Sequence, residues 1–383
     1  MTIYLIVFFA LMLYGGCANH NITKKRKKRY VIIAFGCLSI IAMLRSYNVG
    51  TDLQAHYYST FLKVVNMEWD NLFTLTYENG YLVFYKLISE FTDNGQWMIA
   101  IHALFVIGIT GWFIYKNSEN VVMSTFLFIT TNTWFMYMNI MRQAMAVCIV
   151  LIALEIWKKK EWKFRRYILY AVVVLLAMQF HTSAFIGFFI PIFDYLPFKR
   201  KQIFFSFIAM IASFFLYDQL YNIVSLFQLG KRDYADFYSS SGEAINIINL
   251  YFMFIYLMIF LLGVVSLVYY KRKNVVIDNG NPYNITNING FSDGFLLYMT
   301  LALVMCRIIG LKVNIASRMT YYFIPAIFIL LPRAINAFRR PSNRKDFKYI
   351  IYVLMTIGFI LLGYRSAETL YGTVPYSFFW LDK

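Results

Sequence analysis

An all-α, polytopic integral membrane protein is predicted from three properties of this 383-residue sequence: its composition, the length of its apolar runs and the sorting of its charges. Hydrophobic residues make up 60%, aromatics 20% and charged residues only 14% of the chain, more apolar material than a soluble core needs. The apolar runs last about 15 to 25 residues. At the rise of a helix such runs cross a hydrocarbon core of about 30 Å, the shorter ones only where they are paired or the bilayer thins. A membrane β-barrel would instead show alternating segments of about ten residues, and none of the runs reads that way. The net charge of +17 does not point to nucleic acid, because the basic residues cluster between apolar runs as the positive-inside rule requires.

In order, spans are expected near residues 2–19, 31–47, 96–115, 121–138, 141–157, 167–180, 184–197, 202–220, 246–270, 294–311, 319–338 and 349–366, about twelve in all. The first carries its basic block, Lys24 to Arg29, after the apolar run rather than before it, so it is expected to remain as a helix and not to be cleaved. Placing the N-terminus outside puts six, one, six, three, three and six basic residues in successive inner breaks, 25 of the 36 Lys and Arg, and leaves both termini extracytoplasmic. The stretch Glu78 to Phe91 is apolar on one side and carries Glu78, Lys86 and Glu90 on the other. As a span it would turn the Lys158 to Arg166 block outward, so an interfacial or re-entrant helix is expected on the outer face. A single transmembrane domain over 1–383 follows, with outer loops at 46–96 and 221–245 and an Asn- and Gly-rich cytoplasmic connector at 271–294. The four cysteines lie in or at the ends of apolar runs without paired spacing, as packing residues do.

This topology gathers Arg45, Asp52, Glu78, Arg142, His181 and Arg318 on the outer face. In RSYNVGTDLQAHYYSTF, Gly50 permits a tight turn, Thr51 and Asp52 are expected to cap the next helix, and Tyr57, Tyr58 and Phe61 recur at helical spacing as an interfacial face. Arg45, a costly cation near the end of a span, calls for Asp52, another carboxylate or a bound anion. Arg142 opens the fifth span within Asn139-Ile140-Met141-Arg142-Gln143, with Asn139 and Gln143 as supporting polar groups; there it opposes the helix dipole, unless it snorkels to the interface. His181 sits in a polar break, FHTS, between two short spans. It is either a structural histidine or a group able to act as a base or to donate to a phosphate, and His20, His56 and His102 show no comparable setting. Arg318 is expected to open a helix as Arg142 does, and Arg307 lies within the tenth span. Two guanidiniums on one face can grip a diphosphate bidentately, better than ammonium groups would.

No phosphate-binding Gly-rich loop, dinucleotide fingerprint, Asp-x-Asp, His-Glu-x-x-His or Gly-x-Ser-x-Gly occurs. Nucleotide hydrolysis, redox chemistry and zinc proteolysis therefore lack support, no cofactor or metal is expected, and an enzyme here needs an already activated donor.

The strings RSYNVGTD, ENGYLVFYKLI, NIMRQAMAV, FHTSA and SRMTYYFIP, in that order from Arg45 to Tyr322, resemble the EpsG family of bacterial polysaccharide polymerases, related in role to Wzy-type O-antigen and capsule polymerases. The resemblance implies a GT-C-like membrane glycosyltransferase of the inner membrane that joins oligosaccharide repeat units carried on undecaprenyl diphosphate, with membrane lipid and a chain-length regulator protein as further partners. On that basis Arg142 and Arg318, with Arg45 as a further candidate, would bind the diphosphate. His181 would be a base or a diphosphate ligand, and Asp52 and Glu78 alternative bases or groups that orient the arginines. An O-antigen ligase and a lipid-linked oligosaccharide flippase are the competing readings. Transport by alternating access should show mid-membrane charges and duplicated halves, and neither is visible.

Overall fold

The computed structural model describes residues 1–18, 23–215, 247–270, 290–311, 314–338, 341–365 and 370–381. The expected outer loop at 221–245, the connector over 271–289 and His20 lie outside the described residues. Every named element among the described residues is helical, and a single isolated bridge pairs Arg45 with Phe378.

In chain order the helices are α1 (Thr2–Ala18), α2 (Lys24–Met43), α3 (Tyr58–Val65), α4 (Asn79–Ser89), α5 (Gly95–Asn117), α6 (Val121–Thr130), α7 (Thr133–Asn139), α8 (Met141–Trp157), α9 (Lys163–Met178), α10 (Ile192–Tyr195), α11 (Arg200–Phe215), α12 (Ile247–Gly263), α13 (Asp293–Ile309), α14 (Ile327–Asn336) and α15 (Pro341–Arg365). Among the described residues four stretches, Gly95–Asn117, Ile248–Val268, Ser317–Asn336 and Ser342–Tyr364, are long and apolar enough to cross a membrane, and Thr2–Cys17, Val121–Thr130 and Thr182–Tyr195 are shorter apolar pieces. α4, with 11 residues, is too short to cross a bilayer; it buries Tyr81, Leu82, Tyr85 and Ile88 and exposes Leu87.

Several expected spans are broken. The run 121–138 is two helices, because Asn132 takes a left-handed conformation (φ 60°) that asparagine tolerates better than most residues. The Thr131 hydroxyl donates to the Leu127 carbonyl at 2.7 Å and meets the Thr133 hydroxyl at 2.8 Å, supplying polar partners at the break. The run 184–197 becomes a 3-10 turn, Thr182–Phe188, followed by the four residues of α10. Residues 319–338 begin in 3-10 turns, Asn314–Tyr322 and Ile324–Ala326, before α14. Irregular backbone at membrane depth is tolerated where protein surrounds it, and α6 and α7 are buried at every residue.

α8 is the axle of the bundle: 15 of its 17 residues are buried. At the periphery α9, α11 and α15 expose Val172, Leu175, Phe204, Phe205, Leu354 and Leu361, side chains that suit hydrocarbon rather than water. The ends of the bundle differ in chemistry. At one end the breaks expected inside meet one another. Lys27 Nζ donates to the Ser118 carbonyl at 2.7 Å, Lys158 and Asn117 both reach Glu155 Oε1 (2.7 and 2.6 Å), and Arg333 pairs with Asp293 (3.1 Å) and Glu119 (3.4 Å). At the other end lie Arg45, Glu78, Arg142 and His181. α8 joins the two ends over about 25 Å of rise.

Cysteine labelling tests this sorting. In a cysteine-free background, a membrane-impermeant maleimide should modify Gln54→Cys in intact cells and Lys159→Cys only after permeabilisation. Equal labelling of both would disprove opposite exposure.

Candidate active site

The loop after α2 is shaped by backbone bonds rather than by a helix cap. Gly50 adopts φ +116°, where a Cβ would lie 3.3 Å from Asn139 Oδ1. That oxygen accepts from the Asp52 N–H (2.8 Å) and the Thr51 hydroxyl (3.3 Å), so Asn139, the last residue of α7, holds the turn. The C-terminal segment completes it: Gly50 N–H donates to the Gly372 carbonyl and Thr51 N–H to the Tyr371 carbonyl, each at 3.0 Å, and Ser46 N–H to Ser377 at 2.9 Å. The expected Asp52 cap does not form. Asp52 is already helical (φ −74°, ψ −27°) at the start of a π-helical turn, Leu53–Tyr57, and its carboxylate accepts no hydrogen bond from a described residue.

Arg45 pairs with neither Asp52 nor any other carboxylate among the described residues. It is fully buried, and its guanidinium donates to the main-chain carbonyls of Ala42 (2.6 Å) and Met138 (2.9 Å), near the C-terminal ends of α2 and α7 where the helix dipoles are negative. It fastens two helices together. Gln96 bonds the carbonyls of Met43 (2.5 Å) and Arg45 (3.1 Å) and adds α5 to the joint.

Arg142, in the first turn of α8, does not snorkel. Its guanidinium forms an ion pair with Glu78, which opens α4, and stacks over the rings of Tyr77 (4.7 Å to the centroid) and Tyr57 (6.0 Å). Glu78 Oε1 also accepts from the Thr182 N–H at 3.4 Å, beside His181. Gly80 permits this junction, since a Cβ there would lie 2.8 Å from the Gln179 carbonyl oxygen, which accepts from Tyr81 N–H at 3.2 Å. Arg142 Nε and Gln143 Oε1 remain buried without a hydrogen-bond partner.

His181 caps the turn Thr182–Phe188 through its ring: Nδ1 accepts from Ser183 N–H (3.3 Å) and meets Ser183 Oγ at 2.6 Å. An amide N–H can only donate, so Nδ1 is the acceptor and the ring proton sits on Nε2. Ser183 Oγ also meets the Tyr322 hydroxyl at 2.9 Å, and Gln143 Nε2 donates to Ser183 Oγ (3.4 Å) and to the Arg318 carbonyl (3.0 Å). Arg318 does not open a helix; it lies in the 3-10 turn before α14, is exposed, and makes no ion pair with a described residue. Burial holds the His181 imidazole well below its ordinary value, and Arg142 and Arg318 lower it further, so both cations act on this ring. Tyr57 is driven upward by burial and feels Arg142, Asp52 and Arg318, which ties Asp52 to the same locality.

The sequence-based reading thus named residues that the structure brings together, Arg142, Glu78, Gln143, His181, Arg318 and Asp52, with Asn139 shaping the loop and Arg45 set apart among carbonyls. It missed the hydroxyls of Ser183 and Tyr322 and the ring of Tyr77, and it took Tyr57 for an interfacial residue although it is buried. The signal was adjacency: each sits within four residues of a group already singled out. His102 has more of a setting than expected, fully buried with Nε2 at 3.1 Å from the Met141 carbonyl.

Residues 28–378 match the EpsG family. The chain belongs to the EpsG family. The EpsG family is a Wzy-type polysaccharide polymerase family, so this cluster belongs to a protein of polysaccharide biosynthesis. No curated protein and no solved structure matches the chain.

In this EpsG member, Glu78→Ala strips a buried guanidinium of its carboxylate and should cost about 3 kcal/mol, read as a lower Tm of the purified protein; an unchanged Tm would contradict the burial of the pair. The depressed His181 value carries a pH signature. The folded state binds fewer protons than the unfolded chain below about pH 6.5, so the His181 contribution to stability is full above that value and shrinks as the pH falls. Melting curves from pH 7.5 to 5 should show that slope, and His181→Gln should flatten it.

Proposed function

We propose that this protein polymerises lipid-diphosphate-linked oligosaccharide repeat units by glycosyl transfer on the extracytoplasmic face of the bacterial inner membrane. The lipid carrier in this reading is undecaprenyl diphosphate, and the shorter and broken apolar helices serve as paired or half spans within the expected set of about twelve. The observation that carries the proposal is that the charges of Arg142 and Arg318 both act on a neutral, Nε2-protonated His181 at the end of the bundle opposite the basic breaks, with the Arg318 carbonyl tied to Gln143. A departing diphosphate needs preorganised positive charge and donors, and these residues supply them.

In the proposed reaction a hydroxyl of the incoming unit attacks the anomeric carbon of the growing chain. The bond from that carbon to the lipid diphosphate breaks, the electron pair leaves with the phosphate oxygen, and the hydroxyl proton passes to a base. Arg142 and Arg318 take the diphosphate, and His181 donates through Nε2–H. Glu78 serves as the counter-ion that aims Arg142, since both of its oxygens are engaged. Asp52 is the best-suited base, with a half-buried carboxylate that accepts no hydrogen bond from a described residue. Arg45 acts only by positioning the loop.

Replacing Arg142 or Arg318 with Ala, or Asp52 with Asn, at unchanged protein level should abolish long-chain polysaccharide while single repeat units still reach the surface; loss of all surface glycan would indicate a ligase instead. His181→Gln, which keeps an N–H donor near Nε2, should retain activity within about tenfold of the parent. Complete loss in that variant would assign proton abstraction to the imidazole.

A further inference from the structure

We propose that Arg307 centres a second phosphate-binding site, which holds the diphosphate of the second lipid-linked substrate while the Arg142 cluster holds the first. The inference rests on the polymerase reading above.

Arg307 is near the end of α13, only 5% exposed, and the other end of that helix, at Asp293, joins the basic face through Arg333. Its NH1 donates to Asn249 Oδ1 at 2.9 Å, and its guanidinium lies over the rings of Phe252 (5.4 Å) and Tyr256 (5.8 Å). Asn249 is turned toward it by its own Nδ2, which donates to the Gly310 carbonyl at 3.3 Å. Nε of Arg307 and the hydroxyl of Tyr256 are both buried without a hydrogen-bond partner.

Other buried cations are answered by acceptors. Arg142 has Glu78, Arg333 has Asp293 and Glu119, Lys158 has Glu155, and Arg45 has two carbonyls at helix C-termini. Arg307 has no carboxylate among the described residues. The helix dipole at the end of α13, two aromatic faces and Asn249 offset only part of the desolvation cost of this buried guanidinium, and an anion would relieve the rest. Its neighbours suit an anion as well. The Tyr256 hydroxyl lies beside the Arg307 guanidinium, and Tyr371, paired with Tyr321 at 2.9 Å between hydroxyls, lies within electrostatic reach of Arg307 and Tyr256. The cluster is rich in donors and poor in acceptors, the chemistry of a phosphate site.

Its position fits a two-substrate enzyme. Tyr321 faces this cluster, while the next residue, Tyr322, bonds Ser183 beside His181. One 3-10 turn therefore separates the two cationic sites, with the exposed Arg318 upon it. A polymerase holds donor and acceptor together, each on its own lipid diphosphate.

The test uses the full-length protein in phosphatidylcholine nanodiscs, titrated with undecaprenyl diphosphate and read by native mass spectrometry. The parent should bind two molecules. Arg307→Gln should bind one, and Tyr256→Phe, which removes a single hydroxyl beside Arg307 and keeps the ring packing, should weaken one of the two sites about tenfold. Arg142→Gln should lose the other site. If Arg142→Gln keeps both sites while the Arg307 variant loses one, the first-site reading fails and this one stands. If both Arg307→Gln and Tyr256→Phe bind two molecules with parental affinity, the second site is overturned. Displacement of the second molecule by inorganic pyrophosphate supports the diphosphate as the group recognised. Equal displacement by phosphatidylglycerol nanodiscs overturns that assignment in favour of an ordinary anionic lipid.

Discussion

The ion pair between Arg142 and Glu78 is the constraint on which the end of the bundle opposite the basic breaks depends. It joins α8, 15 of whose 17 residues are buried, to the start of α4, which is too short and too amphipathic to be anchored by membrane crossing. Through its second oxygen Glu78 also holds the Thr182 amide, so one carboxylate sets the spacing between the arginine and the turn that bears His181. Pairing costs less than leaving a guanidinium buried alone, yet Nε stays unpaired and its flanks are the faces of Tyr77 and Tyr57. The arginine is thus neutralised enough to fold and still has a donor to offer.

Rigid mounting explains how a site with few charges can work. Arg142 and Gln143 stand on an element with hardly any surface, Arg318 is tied back to α8 through its carbonyl, and Ser183, Tyr322 and His181 share a closed set of hydroxyl and ring contacts. Such a frame loses little entropy on binding and holds its donors before the ligand arrives. The broken helices serve the same end. The left-handed Asn132 and the 3-10 turns before α14 bring main-chain groups and short loops into the bundle where continuous helices would present only side chains.

Charge sorting along the chain was the most legible property, because a Lys/Arg excess between apolar runs follows from a strong physical rule, and the breaks expected on one side do contact one another through Lys27, Glu119, Lys158, Asp293 and Arg333. Family membership was legible from five short strings in fixed order. Helix breaks were not: Asn132 and residues 319–322 sit in runs whose hydropathy alone reads as continuous, and only tertiary packing lets them depart from α geometry. Partner choice was half legible. A cation near a span end announces that it needs compensation, but sequence could not tell that Glu78 answers Arg142 whereas main-chain carbonyls answer Arg45. Ser183 and Tyr322 escaped notice because hydroxyls are common and acquire meaning only when they converge.

The backbone bonds from residues 370–379 to the loop at 44–51 have a consequence for biogenesis. A loop near α2 whose shape is completed by residues that follow α15 cannot take its final form until those residues have been synthesised. The early helices therefore pack with that loop still unlatched, and this surface of the protein closes late, after α15 has taken its place.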